Sequence, residues 1–237
     1  MILITWNCNG ALRNKYQALN GLDWDVLVVQ ECEDPERCRD ADYKLWASNY
    51  LWVGDSKNKG IGIFAKEGVR ISPLNWSNTY EGHDVKLFLP CVINESIQLL
   101  GVWTKQNNSP TFGYIGQLWK YLQLHSEKFE NIIIAGDLNS NVQWDKWDRW
   151  WNHTDVVNHL KEQSVISAYH HNNKLEQGAE QDLTYFMHRK LDKGYHIDYV
   201  FASERLLDNS LIKIGEPEEW ISISDHVPVT VKFISLL

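Results

Sequence analysis

The chain has 237 residues and carries 23 Lys and Arg against 31 Asp and Glu, a formal charge of −8. That length suits one domain with one sizeable core, and 43% apolar with 23% charged residues excludes a disordered chain. The acidic balance argues against a broad basic surface for nucleic acid, although one local cationic patch can still hold phosphate. No apolar run approaches the about 18 residues of a spanning helix. The N-terminal MILITWNCNG lacks a basic segment followed by an apolar one, so no secretory leader is expected. Cys8, Cys32, Cys38 and Cys91 are scattered without a C-x-x-C pair. The expectation is a reduced, cytoplasmic, monomeric protein with no membrane partner and no disulfide framework.

In chain order, short runs rich in Ile, Val, Leu and aromatics recur: ILITW (2–6), VLVVQ (26–30), GIGIFA (60–65) and IQLLGVW (97–103). NIIIAG (131–136), HIDYVFA (196–202) and VPVTVKFI (227–234) follow. Their length and β-branching predict strands, several buried on both faces. Helices are expected over 12–20, 113–128 and 154–163, where apolar residues recur at helical spacing. No repeat, low-complexity stretch or Pro/Gly/Ser-rich linker divides the chain, so residues 1–237 read as a single domain. Several strands follow one another without room for a helix, as between 60 and 103. That favours two packed sheets with helices outside over a Rossmann-type alternation.

The informative residues stand where these runs stop. The first strand runs into Asn7 and Asn9, the second into Glu31, and the fifth into Asp137 and Asn139. The sixth carries Asp198, and the last is preceded by Ser224, Asp225 and His226. Taken singly, each Asn or Asp is equally a turn residue that bonds its own backbone. Asp198 is different, because a charge inside the apolar HIDYVF strand needs a partner, and His226 could be that partner. Strand ends on one edge of a sandwich converge, so the groups could share a cleft. Such a set, rich in oxygen and poor in thiol, suits Mg²⁺ or Mn²⁺ rather than zinc.

Five blocks, TWNCNG (5–10), QE (30–31), GDLNSN (136–141), HIDYVFAS (196–203) and SDHVPV (224–229), occur in this order from one end of the chain to the other. Together they resemble the signature blocks of the exonuclease–endonuclease–phosphatase superfamily, the deoxyribonuclease-I-like fold. The resemblance implies a four-layer α/β/β/α sandwich of two mostly antiparallel mixed sheets. It also implies metal-dependent cleavage of phosphoesters. By the same resemblance Glu31 is the principal metal carboxylate, Asn7 supports the metal or its water shell, and Asp225 completes the shell. Asp137 orients or deprotonates the attacking water, Asn139 holds the scissile phosphate, and Asp198 orients His226. His226 contacts the phosphate and stabilises charge in the transition state.

Two departures from the family pattern stand out. Asn9 takes the place of an Asp found in several relatives. GVWTK, with Trp103, Thr104 and Lys105, replaces a segment that carries a His or Tyr at the phosphate. Lys105 is either a charge aimed at phosphate or a solvated lysine, and it would be a poor proton donor. Lys57 and Lys59 precede the GIGIF strand, and because the loop before that strand faces the substrate groove in relatives they are further candidate phosphate contacts. In QWDKWDRWW (143–151) the four tryptophans are spaced as a packed helix face would be, and packing is the expected role. Trp144, next to GDLNSN, is the candidate to touch substrate by stacking. His153, His159, His170 and His171 lack zinc spacing and read as helix-surface or loop histidines rather than a second metal site.

The expected function is a Mg²⁺- or Mn²⁺-dependent phosphodiester hydrolase, an endo- or exonuclease with DNA ahead of RNA as substrate. The alternatives are a phosphatase or phosphodiesterase for a small phosphoester or nucleotide, and a catalytically silent binding module of the same fold.

Overall fold

The apolar runs adopt extended backbone, as their β-branched side chains favour, in a computed structural model that describes residues 1–106 and 112–234. The first half of the chain forms β1 (Ile2–Asn7), β2 (Val26–Cys32), β3 (Tyr50–Ser56), β4 (Lys59–Ala65), β5 (Ile71–Pro73), β6 (Thr79–Tyr80), β7 (His83–Asp84) and β8 (Phe88–Ile93). The second half forms β9 (Ile97–Trp103), β10 (Ile132–Asp137), β11 (Val165–Ser167), β12 (Tyr185–Phe186), β13 (Gly194–Tyr195), β14 (Asp198–Ser203), β15 (Leu211–Ile214) and β16 (Val229–Lys232). The α-helices are α1 (Ala41–Trp46), α2 (Ile115–His125), α3 (His153–Glu162), α4 (Ala168–Asn173) and α5 (Pro217–Trp220). Among the described residues no helix is long and apolar enough to cross a membrane.

Two six-stranded sheets have the orders β15-β16-β1-β2-β4-β3 and β11-β14-β10-β9-β8-β5. Each holds one parallel pair at its centre, β1 with β2 and β9 with β10, among antiparallel neighbours. Leu3, Val28 and Ile63 of one sheet meet Leu99, Ile133 and Val200 of the other, so the main core lies between the sheets. On the outer face of the second sheet, Leu118 and Leu122 of α2 and Val156 and Leu160 of α3 bury their apolar stripes. Leu12, Leu19, Tyr43 of α1 and Trp220 of α5 cover the first sheet. This is the α/β/β/α order of layers that the sequence blocks imply.

Boundaries depart from expectation where side chains bind backbone. Residues 12–20 form two 3-10 segments, Leu12–Asn14 and Tyr16–Gly21, instead of one helix. The break is at Lys15, whose ammonium donates to the carbonyls of Cys8 at 2.6 Å and Asn9 at 3.2 Å. The helix expected over 113–128 contracts to α2, followed by a 3-10 turn at Ser126–Lys128. α3 starts where Asn152 and Asp155 cap its first turn reciprocally. The four-tryptophan segment is no packed helix: it holds only a 3-10 turn, Val142–Trp144. Trp151 is 5% exposed, whereas Trp144, Trp147 and Trp150 are 43%, 98% and 63% exposed. Packing is therefore the fate of one ring of the four.

Candidate active site

The two sheets deliver their polar strand ends to one place. Asn7 closes β1, and Glu31 lies one residue from the end of the neighbouring β2. Between Gln30 and Cys32 the ladder to β4 shifts register, which makes Glu31 the extra residue of a bulge, with φ of +63°. A bulge re-aims a side chain that strict alternation would otherwise assign to a face. From the second sheet, β10 ends at Asp137, whose Cα partner on β14 is Asp198. Two carboxylates thus stand opposite each other across a buried antiparallel pair, a repulsive arrangement unless something offsets it.

Hydrogen bonds join the groups. Asn7 Nδ2 donates to Asp137 Oδ2 at 2.9 Å and lies 3.4 Å from Glu31 Oε1, so one amide spans the carboxylates of both sheets. Asn139 donates its backbone N–H to Asp137 Oδ1 at 2.8 Å and its Nδ2 to Asp137 Oδ2 at 2.8 Å. The same amide also donates to the Thr104 carbonyl at 2.9 Å, which commits both of its protons. Asp137 is therefore held by both oxygens, with acceptor capacity left on Oδ1. His226 Nδ1 lies 2.8 Å from Asp198 Oδ2. Ser224 Oγ donates to the Asn7 carbonyl at 2.7 Å and accepts the His226 N–H at 3.1 Å, tying that turn to β1.

Burial, with Asp198 beside it, pushes the Asp137 carboxyl well above the usual carboxylate range. For His226, burial disfavours the charged ring, but Asp198 and the nearby Asp137 and Asp225 outweigh it and shift the imidazole upward. Asp198 Oδ1 is buried with no hydrogen-bond partner. Asp137, Asp198 and His226 offer ligand atoms within 4.8 Å of one another. Two of those three are already committed to each other, however, through the Asp198–His226 bond. Hard oxygens from Glu31 and the Asn7 amide, with Asp225 on the neighbouring turn, form the set that fits a divalent cation better. The uncompensated negative charge around Asp137 points the same way.

The remaining expected residues are placed as follows. Asn9 is exposed, adopts φ of +52°, and donates its N–H to Asn7 Oδ1 at 3.0 Å, fixing that amide. Asp225 is half-buried beside Tyr185 and His226. Lys59 Nζ lies 2.7 Å from Glu31 Oε2. Lys105 bonds Asp55 Oδ2 at 2.8 Å, and both ammonium groups approach the Trp103 ring, at 5.7 and 4.9 Å from its centroid. Lys57 is not with them: it lines a separate open cavity with Arg13, Glu33, Arg37 and Arg39. Trp144 sits at the edge of a cavity that also includes Asn139.

Sequence reading missed two residues of this region. Thr184 Oγ1 accepts the N–H groups of Ile197 and Asp198, both at 3.0 Å, and so anchors the start of β14. Tyr185 bridges to His226, with ring centroids 4.7 Å apart. Its strand is two residues long, too short for any period to show.

His153 and His170 correct another expectation, since both are buried behind the site rather than on a helix surface or loop, beside the buried His196. His170 Nε2 lies 3.1 Å from Glu180 Oε1, which also accepts from Asn141 Nδ2 at 3.2 Å and the Gly178 N–H at 3.1 Å. Burial raises the Glu180 carboxyl, but the His170 bond, backbone N–H groups including that of Gly178, and the nearby His196 outweigh it and carry it to about 2. A carboxyl lowered from 4.5 stabilises the fold above that value, and the stabilisation is lost as pH falls toward about 2. Glu180→Gln is thus expected to lower the thermal midpoint at pH 7 and to flatten its decline between pH 5 and pH 2. Superimposable acid-unfolding curves for the two proteins would refute this.

Solved structures share the fold over nearly the whole chain. The 3′ phosphatase NExo from Neisseria, bound to a product DNA hairpin, matches with a TM-score of 0.72 at 16% identity, covering 98% of this chain and 99% of that one. An AP endonuclease from Archaeoglobus fulgidus matches with a TM-score of 0.72 at 17% identity, covering 99% of each chain. For an AP endonuclease from Leishmania major the TM-score is 0.66 at 17% identity, with 97% and 86% covered. No protein-family model and no curated protein matches the sequence. The chain therefore has the fold of the exonuclease–endonuclease–phosphatase superfamily. Identity this low establishes the fold, and the chemistry has to be argued from the site's own residues.

Proposed function

We propose that the protein is a divalent-metal-dependent phosphodiester hydrolase acting on DNA. The observation that carries this reading is the clamped Asp137, flanked by Asn7 and Glu31 on one side and by the Asp198–His226 pair on the other. The neighbouring folds belong to proteins named as a DNA-bound 3′ phosphatase and as AP endonucleases, which supports DNA as the polymer.

Glu31, Asn7 and Asp225 would hold the cation, Mg²⁺ or Mn²⁺ by the hardness of their oxygens. When bound, it supplies neutralisation of phosphate charge and a more acidic water. The chain's own residues do the rest. Asp137 takes a proton at Oδ1 as the water oxygen bonds to phosphorus and the ester P–O bond breaks; its raised proton affinity suits a base. Asn139 keeps that carboxylate aimed. Asp198 holds His226 through Nδ1, which leaves Nε2–H to donate to a phosphate oxygen as charge builds there.

Metal-dependent hydrolysis of single-stranded, duplex and abasic DNA, RNA and small phosphoesters, with His226→Ala and Asp137→Ala as controls, tests the reading. DNA cleavage lost in both variants would bear it out. Phosphate release from small esters alone would overturn it in favour of a small-molecule phosphatase.

Lys59 supplies a separate expectation. Its ammonium occupies Glu31 Oε2 and must compete with any cation there. Lys59→Ala is expected to tighten Mn²⁺ binding about threefold to tenfold in a calorimetric titration, a modest effect because Lys59 is half exposed and screened. Unchanged or weaker binding would mean that the ion pair does not guard the site.

A further inference from the structure

We propose that Tyr185, Tyr195 and Trp144 form a stacking track for the unpaired bases of a single DNA strand, leading from the reaction centre into a cavity beside Asn139. The inference deepens the nuclease reading and rests on it.

The rings follow one another without a gap. Tyr185 lies 4.7 Å from the His226 ring, Tyr195 lies 6.4 Å from Tyr185 at an interplanar angle of 23°, and Trp144 lies 5.1 Å from Tyr195. Tyr185 and Tyr195 are paired Cα partners across the β12–β13 ladder, which puts both rings on one face. Trp144 comes from a different segment, the turn after GDLNSN, and 43% of it is left uncovered. Beyond it opens a cavity of about 260 Å³ walled by Tyr114, Trp144 and Trp151, with Arg149 at its side and Asn139 shared with the reaction centre. Such a space suits one flat ring better than a larger ligand.

Spacing and charge select the ligand. Bases in a duplex are stacked about 3.4 Å apart along each strand, with both faces already covered. Rings 5.1–6.4 Å apart cannot each engage a base of such a stack, whereas an extended, unpaired strand can present its bases singly. A protein of charge −8 also gains little from the counterion release that drives duplex binding, while base–aromatic stacking needs no net charge.

Fluorescence anisotropy of a labelled 12-mer tests this, as a single strand and as a blunt duplex, in EDTA so that nothing is cleaved. Trp144→Ala and Tyr195→Ala are each expected to weaken single-strand binding about tenfold and duplex binding less than twofold, with Trp144→Phe restoring most of the loss. Trp147 is the control: it is 98% exposed on the same segment but lines neither row nor cavity, so Trp147→Ala should bind as the parent does. The single-strand affinity should also depend only weakly on salt. Equal losses on both forms, or no loss on the single strand, would overturn the track while leaving the nuclease reading intact. Absence of binding to either polynucleotide, with small phosphoesters still hydrolysed, would overturn both.

Discussion

Asp137→Asn is expected to lower the rate of DNA cleavage by at least about a thousandfold, mostly in kcat, with the fold retained. The substitution keeps the volume of the side chain but removes the proton acceptor. It also presents an NH2 group to one of the donors that now point at the carboxylate, from Asn7 and from the backbone and side chain of Asn139. His226→Ala should cost about 10²–10³ in kcat, the magnitude seen when one donor to a developing oxyanion is removed. The double variant should be little worse than Asp137→Asn alone, because groups acting on one transition state are not additive. Single-turnover cleavage with saturating Mg²⁺ measures all three, and circular dichroism checks the fold. If Asp137→Asn kept kcat within tenfold of the parent, Asp137 would not be the base.

Much of this arrangement is legible in the sequence because its chemistry sits at strand ends, where an apolar run stops at a polar residue. Asn7 and Asp137 end apolar runs, Asp198 is a charge inside one and His226 precedes one, and the structure brings the four together. Local geometry was less accessible. VLVVQEC reads as one uninterrupted strand, and nothing in it announces that Glu31 is a bulge at positive φ. Tyr185 was invisible for a different reason: a two-residue ladder has no period. Helical spacing misled over Trp144, Trp147 and Trp150, because spacing alone cannot say whether a helix forms to bury the face it describes. Spacing that excludes a zinc site says nothing about burial, and so it misplaces His153 and His170. They are buried because Ser140, Ser167, Gln177 and Glu180 supply their hydrogen bonds. Whether such partners converge is a property of the folded chain, not of any short window of sequence.

Gly136→Ala should be among the most damaging single-methyl changes in the molecule, destabilising it by about 3–5 kcal/mol or preventing soluble expression. Gly136 pairs with Val102 in the parallel β9–β10 ladder and with Tyr199 on β14, so its backbone is fixed from both sides. A Cβ built there would lie 1.7 Å from the Val102 carbonyl oxygen and 2.7 Å from its carbon, far inside contact distance. The neighbour is ladder backbone rather than a flexible side-chain end, so relief requires prising the two central strands apart. The displacement would begin one residue before Asp137, whose carbonyl accepts the Thr104 N–H at 3.0 Å while its side chain carries the proposed base. Activity should therefore fall further than the loss of folded protein explains. Gly21→Ala is the matched control, because nothing lies within 4 Å of its added methyl and its φ is unexceptional; its effect should stay within about 0.5 kcal/mol. Urea unfolding of both variants, with kcat measured on the folded fraction, separates the two effects. Parent-like stability in Gly136→Ala would mean that the β9–β10 spacing is softer than the ladder implies. It would then be wrong to credit this glycine with setting the position of Asp137.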